Sequence, residues 1–496
     1  RVVQTPHIDG LAARGIRFDR SYVAYPVCMP NRACLMTGRM ASDHRGINNG
    51  IPLDLEATTF VDVLAHHGYR TGLIGKSHLQ GYTPLDPMYG YIADDELTPP
   101  PKEFQDALRR SRWDGGGYRI ERRIASGELA EIPYTDGFYG FQHVELVTRH
   151  ADFTDGHHLA WAEKQRADFK TLVGKENALP DHRPRGPQAW RTAVPPELYS
   201  TQFIANRSRS YIEKAAQGDH PFFLQVSFTD PHHPFTPPGK YWDMYDHDKI
   251  KLAENTYQPL NSPDIAIEAQ HNSAELRKNY LGIPSEGLLD EKLSRDLIHG
   301  YYASVSYMDA MIGKLIQGLE EAGLRENTTI ILWSDHGYFL GEHGFWCKHS
   351  TFYEAVQIPL IISSPKFNSK EETNSFTELV DIYPTLCELT GITPPNYIQG
   401  KSLTPVLKNP KTILKDEIYT RYKQGEAVID KNYAYTEFVQ GNKYLGNMLY
   451  DMTNDKKQNI DISNLPESKA LVKKYSIKLQ DMRNYVNKDP FQNQSN

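Results

Sequence analysis

SRDLIHGYYASVSYMDAMIGKLIQGLEEAG spans Ser294 to Gly323 and is followed, after four residues, by TTIILWSD, which spans Thr328 to Asp335. Apolar side chains recur at steps of three and four along the first segment, which predicts a helix with one buried face. Ser294 and Gly323 are suitable caps for its two ends. The second segment is short, apolar and rich in β-branched residues, as is typical of a strand buried on both faces. This long helix leading into a buried strand indicates an α/β architecture.

Three further apolar runs have the same character as this strand: TGLIG at 71–75, FFLQVSF at 222–228 and IPLIIS at 358–363. Segments with helical periodicity, such as TTFVDVLAHHG at 58–68, precede some of them. Strands that alternate with helices form layered folds in which a mostly parallel sheet packs between helices. The sequence therefore predicts an α/β fold with a large mixed, mostly parallel sheet sandwiched by helices.

The chain divides into two predicted parts, residues 1–409 and residues 410–496. Proline and glycine interrupt the first part repeatedly between about 81 and 218, which is typical of surface insertions that shape a site. In the second part, YAYTEFV and MLYDMTNDKKQN predict a small antiparallel sheet. A helix from about 467 to 485 is expected to pack on that sheet.

Composition excludes several classes of protein. The 496 residues include 55 basic and 62 acidic side chains, a net charge of −7, which argues against nucleic acid as a partner. No apolar run approaches the roughly 18 residues that a membrane-spanning helix needs. The four cysteines are too few for a disulfide framework. A soluble globular protein with a sizeable core is expected.

The segment CMPNR at residues 28–32, with Thr37-Gly38-Arg39 after it, resembles the sulfatase signature C-x-P-x-R and its trailing T-G-R. In that family the cysteine is oxidised to formylglycine, whose hydrate is the nucleophile. The resemblance thus implies that Cys28 is the precursor of formylglycine and that a formylglycine-generating maturation enzyme is a partner. Asn31 stands where the family usually has Ser or Ala, a departure that bears on how efficiently Cys28 is converted.

Other segments are similar to sulfatase motifs and occur in the family's order: GKSH at 75–78, PHHP at 231–234, SDHG at 334–337 and GEHG at 341–344 with Lys348 after it. Each segment alone is weak evidence for a family. Together, over nearly the whole chain, they resemble the motifs of the formylglycine-dependent type I sulfatases of the alkaline phosphatase superfamily. The pair Asp335-His336 is similar to that of the iduronate-sulfatase-like subgroup. The resemblance implies an alkaline-phosphatase-like fold and hydrolysis of sulfate monoesters to an alcohol and inorganic sulfate.

The resemblance also implies roles for individual residues. Cationic groups stabilise the charge that grows on a sulfate in the transition state, and histidines transfer protons near neutral pH. The implied catalytic residues are Cys28, Arg32, Lys76, His78, His232 and Lys348, with His232 favoured over its neighbour His233. Asp335, His336 and Cys28 are the implied ligands of one divalent metal, for which Ca²⁺ is expected and Mg²⁺ or Mn²⁺ stays open.

One family feature is missing from the given residues. The family takes two further metal-binding aspartates from a loop after its first strand, upstream of the segment that Pro6 to Asp9 resembles. Asp94 and Asp95 are an adjacent pair of aspartates, but they lie downstream of this segment, whereas the family's metal-binding pair lies upstream. We expect a solvated loop there. We therefore expect the natural protein to be longer at its amino terminus, and the resemblance favours a periplasmic or secreted location.

A sulfated small molecule or oligosaccharide is the expected substrate, with a sulfated carbohydrate preferred. CKHS at 347–350 and YAYTEF at 433–438 resemble segments of uronate-type sulfatases. His349, Tyr353, Glu437 and Asn49 are the candidate residues for the substrate pocket.

Two alternatives stay open at this point. One is a phosphonate monoester or phosphodiester hydrolase of the same superfamily, which the segment NGIPL from Asn49 favours and which Lys76 and His78 argue against. The other is a non-catalytic protein that binds sulfated glycans. The complete set of expected catalytic residues makes this second alternative the weaker one.

Overall fold

A computed structural model describes residues 2–41, 48–82, 116–134, 137–183, 186–271, 287–367, 370–441 and 443–486. Its helices are α1 (Pro6–Ala12), α2 (Cys28–Thr37), α3 (Phe60–His66), α4 (Ile120–Ala125), α5 (His157–Gln165), α6 (Ser200–Ala215), α7 (Asp264–His271), α8 (Glu291–Glu321), α9 (Tyr353–Val356), α10 (Ile382–Thr390), α11 (Thr404–Lys408) and α12 (Lys469–Val486). Its strands are β1 (Ile16–Tyr22), β2 (Arg70–Gly75), β3 (His143–Thr148), β4 (Asp155–Gly156), β5 (Phe222–Ser227), β6 (Ile330–Trp333), β7 (Phe339–Leu340), β8 (Trp346–Cys347), β9 (Gln357–Ser363), β10 (Glu372–Thr373), β11 (Thr377–Glu378), β12 (Glu417–Tyr422), β13 (Gly425–Asp430), β14 (Tyr433–Gln440) and β15 (Lys443–Asp451).

The helix α8 confirms the long helix expected from the apolar periodicity, but it begins before Ser294. Asp290 caps it instead, because its carboxylate accepts a hydrogen bond from the backbone N–H of Leu293 at 2.8 Å. Ser294 is buried inside the first turns. At the other end Gly323 has a φ of 69°, a left-handed conformation that suits glycine after a helix.

The larger part of the chain contains two mixed sheets. In the first, β9 lies between β1 and β6 and runs antiparallel to both, whereas β10 and β11 pair with β1 in parallel. In the second, the order is β4-β3-β2-β5, and β2 is parallel to both β3 and β5. The α/β class with mixed sheets is confirmed. The described strands of this part form these two sheets and a short antiparallel pair of β7 and β8, rather than one large sheet.

Parallel pairing determines where the site can form. Because β2, β3 and β5 point the same way, the residues that follow Gly75, Thr148 and Ser227 emerge at one edge of the sheet. Ligands of open α/β sheets bind at this carboxyl edge. Helix α6 packs on β2, on β5 and on α8. The sheet and the two helices therefore hold that edge in place.

The small antiparallel sheet predicted near the carboxyl terminus is confirmed, with the strands in the order β12-β13-β14-β15. Helix α12 packs on β13 and β14 and buries Tyr475 and Leu479 there. The same apolar cluster contains Val27 and Cys34, which lie just before and within α2. The carboxyl-terminal sheet thus supports the helix that begins at Cys28. Across the described ranges, no helix has both the length and the apolar character that a membrane span requires.

Candidate active site

Cys28 is the first residue of α2, and its side chain is buried. Its Sγ lies 2.9 Å from Lys348 Nζ, 3.3 Å from His336 Nε2 and 3.7 Å from Lys76 Nζ. Burial by itself would raise the pKa of the thiol, but the two lysine ammonium groups hold that pKa well below its usual range. The positive end of the α2 dipole acts in the same direction. Cys28 is thus a buried sulfur in a cationic pocket.

Asp335 and His336 follow β6 and complete this pocket. The Nδ1–H of His336 donates to the carbonyl of Gly337 at 2.8 Å, which leaves Nε2 as an acceptor. Lys348 Nζ donates to this nitrogen at 2.8 Å, and Cys28 Sγ lies 3.3 Å from it. The Asp335 Oδ1 atom lies 3.5 Å from that Nε2. Burial would raise the pKa of Asp335, but His336 and Arg32 hold it well below its ordinary value.

The donor chemistry of this group fits a divalent metal. One ligand atom each from Cys28, Asp335 and His336 lies within 4.8 Å of the others. An imidazole whose second nitrogen is already hydrogen-bonded is a prepared metal ligand. Ca²⁺ takes six to eight oxygen ligands, so these three donors could hold a divalent metal but do not by themselves select calcium. Asp94-Asp95 lies outside the described residues.

Arg32 connects the loops around the site. Its Nε donates to Asp335 Oδ2 at 2.9 Å, and its Nη1 donates to the carbonyls of Lys76 and Ser77 and to Ser227 Oγ at 2.9 to 3.2 Å. These contacts place Arg32 between α2, the residues after β2 and the residues after β6. Its role toward a bound anion stays a prediction.

Lys76 and His78 lie on the short loop after β2. His78 has a φ of 55° and lies within hydrogen-bonding range of Cys28. Burial lowers the pKa of His78 to about 4, so its imidazole is neutral at pH 7. The buried carboxylate of Glu121 accepts hydrogen bonds from three backbone N–H groups of this loop, those of His78, Leu79 and Gln80, at 2.9 to 3.0 Å.

His232 and His233 follow β5 at the same edge. The Nδ1–H of His232 donates to the carbonyl of His233 at 2.7 Å. His233 turns its own Nδ1 to the Tyr338 hydroxyl at 2.9 Å, with Cys347 Sγ at 3.4 Å. Burial, together with the histidines and lysines nearby, holds the pKa of His232 well below its usual value.

Two residues of this group, Glu121 and His150, were not predicted from the sequence. His150 comes after β3, and its ring stacks on His232 with 3.5 Å between centroids. Neither residue belongs to a motif. The position of His150 just after a strand of the parallel sheet was the one feature that could have marked it as a candidate site residue.

The four predicted pocket residues have different surroundings. His349 lies next to Lys348, and its ring is 5.7 Å from the ring of Tyr422. Asn49 is exposed, and its Oδ1 accepts a hydrogen bond from the backbone N–H of Met29 at 3.1 Å.

The other two predicted pocket residues are not brought into this group. Glu437 pairs with Arg483 of α12 at 2.8 Å and accepts a hydrogen bond from Ser476. The backbone N–H of Tyr353 donates to Gln458 Oε1 at 2.6 Å, and its side chain hydrogen-bonds with Gln357.

The chain is similar to known proteins in both sequence and fold. The sulfatase family model matches residues 1–110 and 134–392, and a model of the carboxyl-terminal region of N-sulphoglucosamine sulphohydrolase matches residues 341–485. The chain is 28% identical to an N-acetylglucosamine-6-O-sulfatase of Bacteroides thetaiotaomicron, over 82% of this chain and 67% of that protein.

Two solved structures have a similar fold. The first is the structure of a protein in complex with its substrate, D-glucosamine-2-N,6-O-disulfate. Its TM-score is 0.71 and its sequence is 21% identical, and the match covers 99% of this chain and 95% of the other. The second is a phosphonate monoester hydrolase from Silicibacter pomeroyi, with a TM-score of 0.73, 22% identity and coverage of 97% and 90%. The family model covers most of the chain, including the residues gathered around Cys28. This chain belongs to the sulfatase family and is a sulfuric ester hydrolase.

Proposed function

We propose that this enzyme hydrolyses sulfate monoesters of a carbohydrate and that it uses Cys28 after conversion of this residue to formylglycine. The observation that carries the proposal is the convergence of Lys76, Lys348 and His336 on a buried cysteine at a helix start. A structural cysteine would gain nothing from two buried ammonium groups, which are costly to desolvate. An anionic substrate bound there offsets that cost.

Binding of the sulfate is assigned to Lys76 and Lys348. Both ammonium groups are buried and reach the side chain of residue 28, so a sulfur atom attacked from that residue would lie between them. Preorganised cations in a water-poor site stabilise charge that develops on the sulfate oxygens. A divalent metal held by Asp335, His336 and residue 28 would supply further positive charge to the same group.

Proton transfer is assigned to His78 and His232. His78 lies near residue 28 and is neutral at pH 7, so it can accept a proton from a hydroxyl on that residue. His232 protonates the leaving alcohol. Burial, with smaller contributions from the neighbouring histidines and lysines, lowers the pKa of His232 in the free site. A bound sulfate raises that pKa because its negative charge favours the protonated ring.

The carbohydrate part of the proposal has two supports. The Bacteroides relative is named for a sulfated amino sugar. In this chain, the ring of Tyr422 at the end of β12 lies 5.7 Å from the ring of His349, the residue after Lys348. Aromatic faces and polar groups together suit a sugar ring.

The test is a substrate screen with protein co-expressed with a formylglycine-generating enzyme. Sulfated mono- and oligosaccharides and an aryl sulfate form one arm, and a phosphodiester and a phosphonate monoester form the other. We expect release of inorganic sulfate from at least one sulfated sugar at a higher kcat/KM than any phosphorus ester gives. Cys28→Ala should abolish turnover without a change in fold. Preference for the phosphorus esters, or full activity of Cys28→Ala, would contradict the proposal.

A further inference from the structure

His150 lies at the carboxyl edge of the parallel sheet, two residues after the end of β3. The neighbouring strands β2 and β5 lead into Lys76 and His232 at the same edge. His150 therefore lies between Lys76 and His232, which both have roles in the proposed function. The sequence around His150 contains no motif.

The first contact of His150 is a hydrogen bond with Lys76. Its Nε2 lies 3.1 Å from Lys76 Nζ. An ammonium group donates hydrogen bonds and cannot accept them, so Nε2 is the acceptor and the ring proton is on Nδ1. The neutral imidazole thus holds the ammonium group whose nitrogen is 3.7 Å from Cys28 Sγ. Burial and the charge of Lys76 lower the pKa of His150, which keeps the ring in this neutral form.

The second contact is a ring stack. The rings of His150 and His232 are nearly parallel, at 9°, with 3.5 Å between their centroids. His233 covers His232 at 4.1 Å. Because His232 is also fixed by its Nδ1 hydrogen bond, the stack leaves it little freedom to rotate.

The backbone around His150 is held in an uncommon conformation. Arg149 and Ala151, the residues on either side, both have a φ of 58°, in the left-handed region that non-glycine residues avoid. Two contacts keep this segment in place: Arg149 pairs with Asp155 at 2.7 Å, and Ser200 donates to the carbonyl of Ala151 at 3.1 Å. Such strain persists where the surroundings fix the conformation, and it is concentrated at functional sites.

We propose that His150 is a positioning residue of the hydrolysis, which directs the Lys76 ammonium group toward the sulfate and holds the His232 ring in the orientation for proton transfer. The inference rests on the proposed function for its catalytic consequences. Its structural content, a neutral His150 that accepts from Lys76, holds whatever ester is hydrolysed.

Three variants separate the two contacts. His150→Ala removes both, His150→Phe keeps a stacking ring without an acceptor, and His150→Gln keeps an acceptor without the ring. A misplacement of about 1 Å costs on the order of 100-fold in rate, so we expect kcat to fall about 100-fold in His150→Ala. KM should change much less. His150→Phe and His150→Gln should each lose less kcat than His150→Ala. His150→Gln should retain the part of the rate that depends on the hydrogen bond with Lys76.

The matched control is His143→Ala, at the amino end of the same strand. Its side chain is half exposed, bonds to Glu145 and lies beside the ring of Tyr211. It should leave kcat unchanged. Unchanged kcat in a folded His150→Ala variant would overturn the proposal. Equal loss in the Ala, Phe and Gln variants, with wild-type melting temperatures, would also overturn it.

A second readout does not need turnover. Long-range ¹H–¹⁵N correlation spectra of histidine-labelled protein report which ring nitrogen carries the proton. We expect the Nδ1–H tautomer for His150, and we expect Lys76→Ala to relax this preference. An Nε2–H tautomer in the wild type would refute the positioning role. If no ester were hydrolysed, the proposed function would fail while this spectrum still decided the contact between His150 and Lys76.

Discussion

Asn31 lies in the first turn of α2, three residues after Cys28, and is fully buried. Its Nδ2 donates to the backbone carbonyl of Asp335 at 2.6 Å. The sequence identifies Asn31 only as a departure from the usual oxidation signal. In the structure it connects the helix that begins at Cys28 to the residues that follow β6.

For Asn31→Ala we predict a loss of about 1–3 kcal/mol in the free energy of unfolding, because the buried Asp335 carbonyl loses its donor. Weaker metal binding should accompany it, since Asp335 is then less firmly placed. Urea denaturation and metal titration measure the two effects. Asn484→Ala, on the exposed face of α12, is the control and should change neither. Wild-type stability in Asn31→Ala would contradict the connecting role.

At the level of elements, the short helix α4 fixes the loop that presents Lys76 and His78. Gln80 Oε1 accepts a hydrogen bond from the backbone N–H of Ile120 at 2.9 Å, while Glu121 accepts from the loop in return. The two elements therefore hold each other through backbone groups. A positive φ at His78 can persist because the loop is held in this way.

For Glu121→Gln we expect a lower kcat together with a lower melting temperature, because an amide has one acceptor oxygen where the carboxylate has two. Three loop N–H groups then compete for that single oxygen. Steady-state kinetics and thermal unfolding measure the change. Glu128→Gln is the control, since that side chain is exposed and pairs only with Arg123 among the described contacts. Equal effects of the two substitutions would contradict the role of Glu121.

The carboxyl-terminal helix α12 supplies a second prediction at this level. Leu479 is fully buried between α12 and the antiparallel sheet, whereas Ile477 on the same helix is 56% exposed. For Leu479→Ala we predict a loss of about 2–5 kcal/mol in unfolding free energy. Activity should also fall on mild heating, because the same apolar cluster contacts α2. Ile477→Ala should have little effect, and similar effects of the two would refute this packing.

Helices and strands that leave a pattern in the sequence were predictable. The apolar periodicity predicted α8 to within a few residues, but the predicted start was too late because Asp290, and not Ser294, caps the helix. The buried runs located β2, β5, β6 and β9. Their apolar residues carry no information on direction, so the antiparallel pairing of β9 with both neighbours could not be predicted from them.

Site residues that belong to a sequence motif were predictable, and site residues outside the motifs were not. The residues that the family resemblance gave, such as Lys76 and Lys348, do gather around Cys28. Glu121 and His150 act through contacts over long sequence distances, which no local pattern reports. Glu437 was assigned to the pocket by its sequence neighbours, yet the packing of α12 on the sheet directs it to Arg483.

For the whole molecule, buried carboxyl groups determine how stability changes with pH. Burial raises the pKa of Asp230 and of Glu121 to about 7 and that of Glu354 to about 8. In the unfolded chain these groups titrate near 4, so the native state holds protons that the unfolded state has released. Their contribution to stability is therefore lost as the pH rises through the native pKa values.

Buried histidines act in the opposite direction at lower pH. Burial lowers the pKa of His78 and of His158 to about 4. Stability from these groups rises with pH only up to the unfolded value of about 6.5 and is constant above it. Above that pH the histidines no longer contribute, and the lowered pKa of the Cys28 thiol opposes the carboxyl groups. Because three carboxyl groups act against one thiol, the free energy of unfolding should fall between about pH 6.5 and 8.

Asp230→Asn tests this assignment. The amide oxygen can still accept the hydrogen bond from Thr201, but the side chain no longer ionises. Urea denaturation at a series of pH values should give a shallower decline for Asp230→Asn than for the wild type. A flat or rising wild-type curve in this range, or an unchanged slope in the variant, would contradict the account.

The central claim is that Cys28 becomes the nucleophile of sulfate ester hydrolysis, and it is tested most directly by correlating conversion with turnover. Preparations with different levels of the maturation enzyme are analysed by peptide mass spectrometry for the fraction of Cys28 that carries an aldehyde. Sulfate release is measured on the same samples. We predict that kcat per total protein is proportional to the converted fraction and vanishes with it. Undiminished turnover in protein whose Cys28 thiol is intact would contradict the claim.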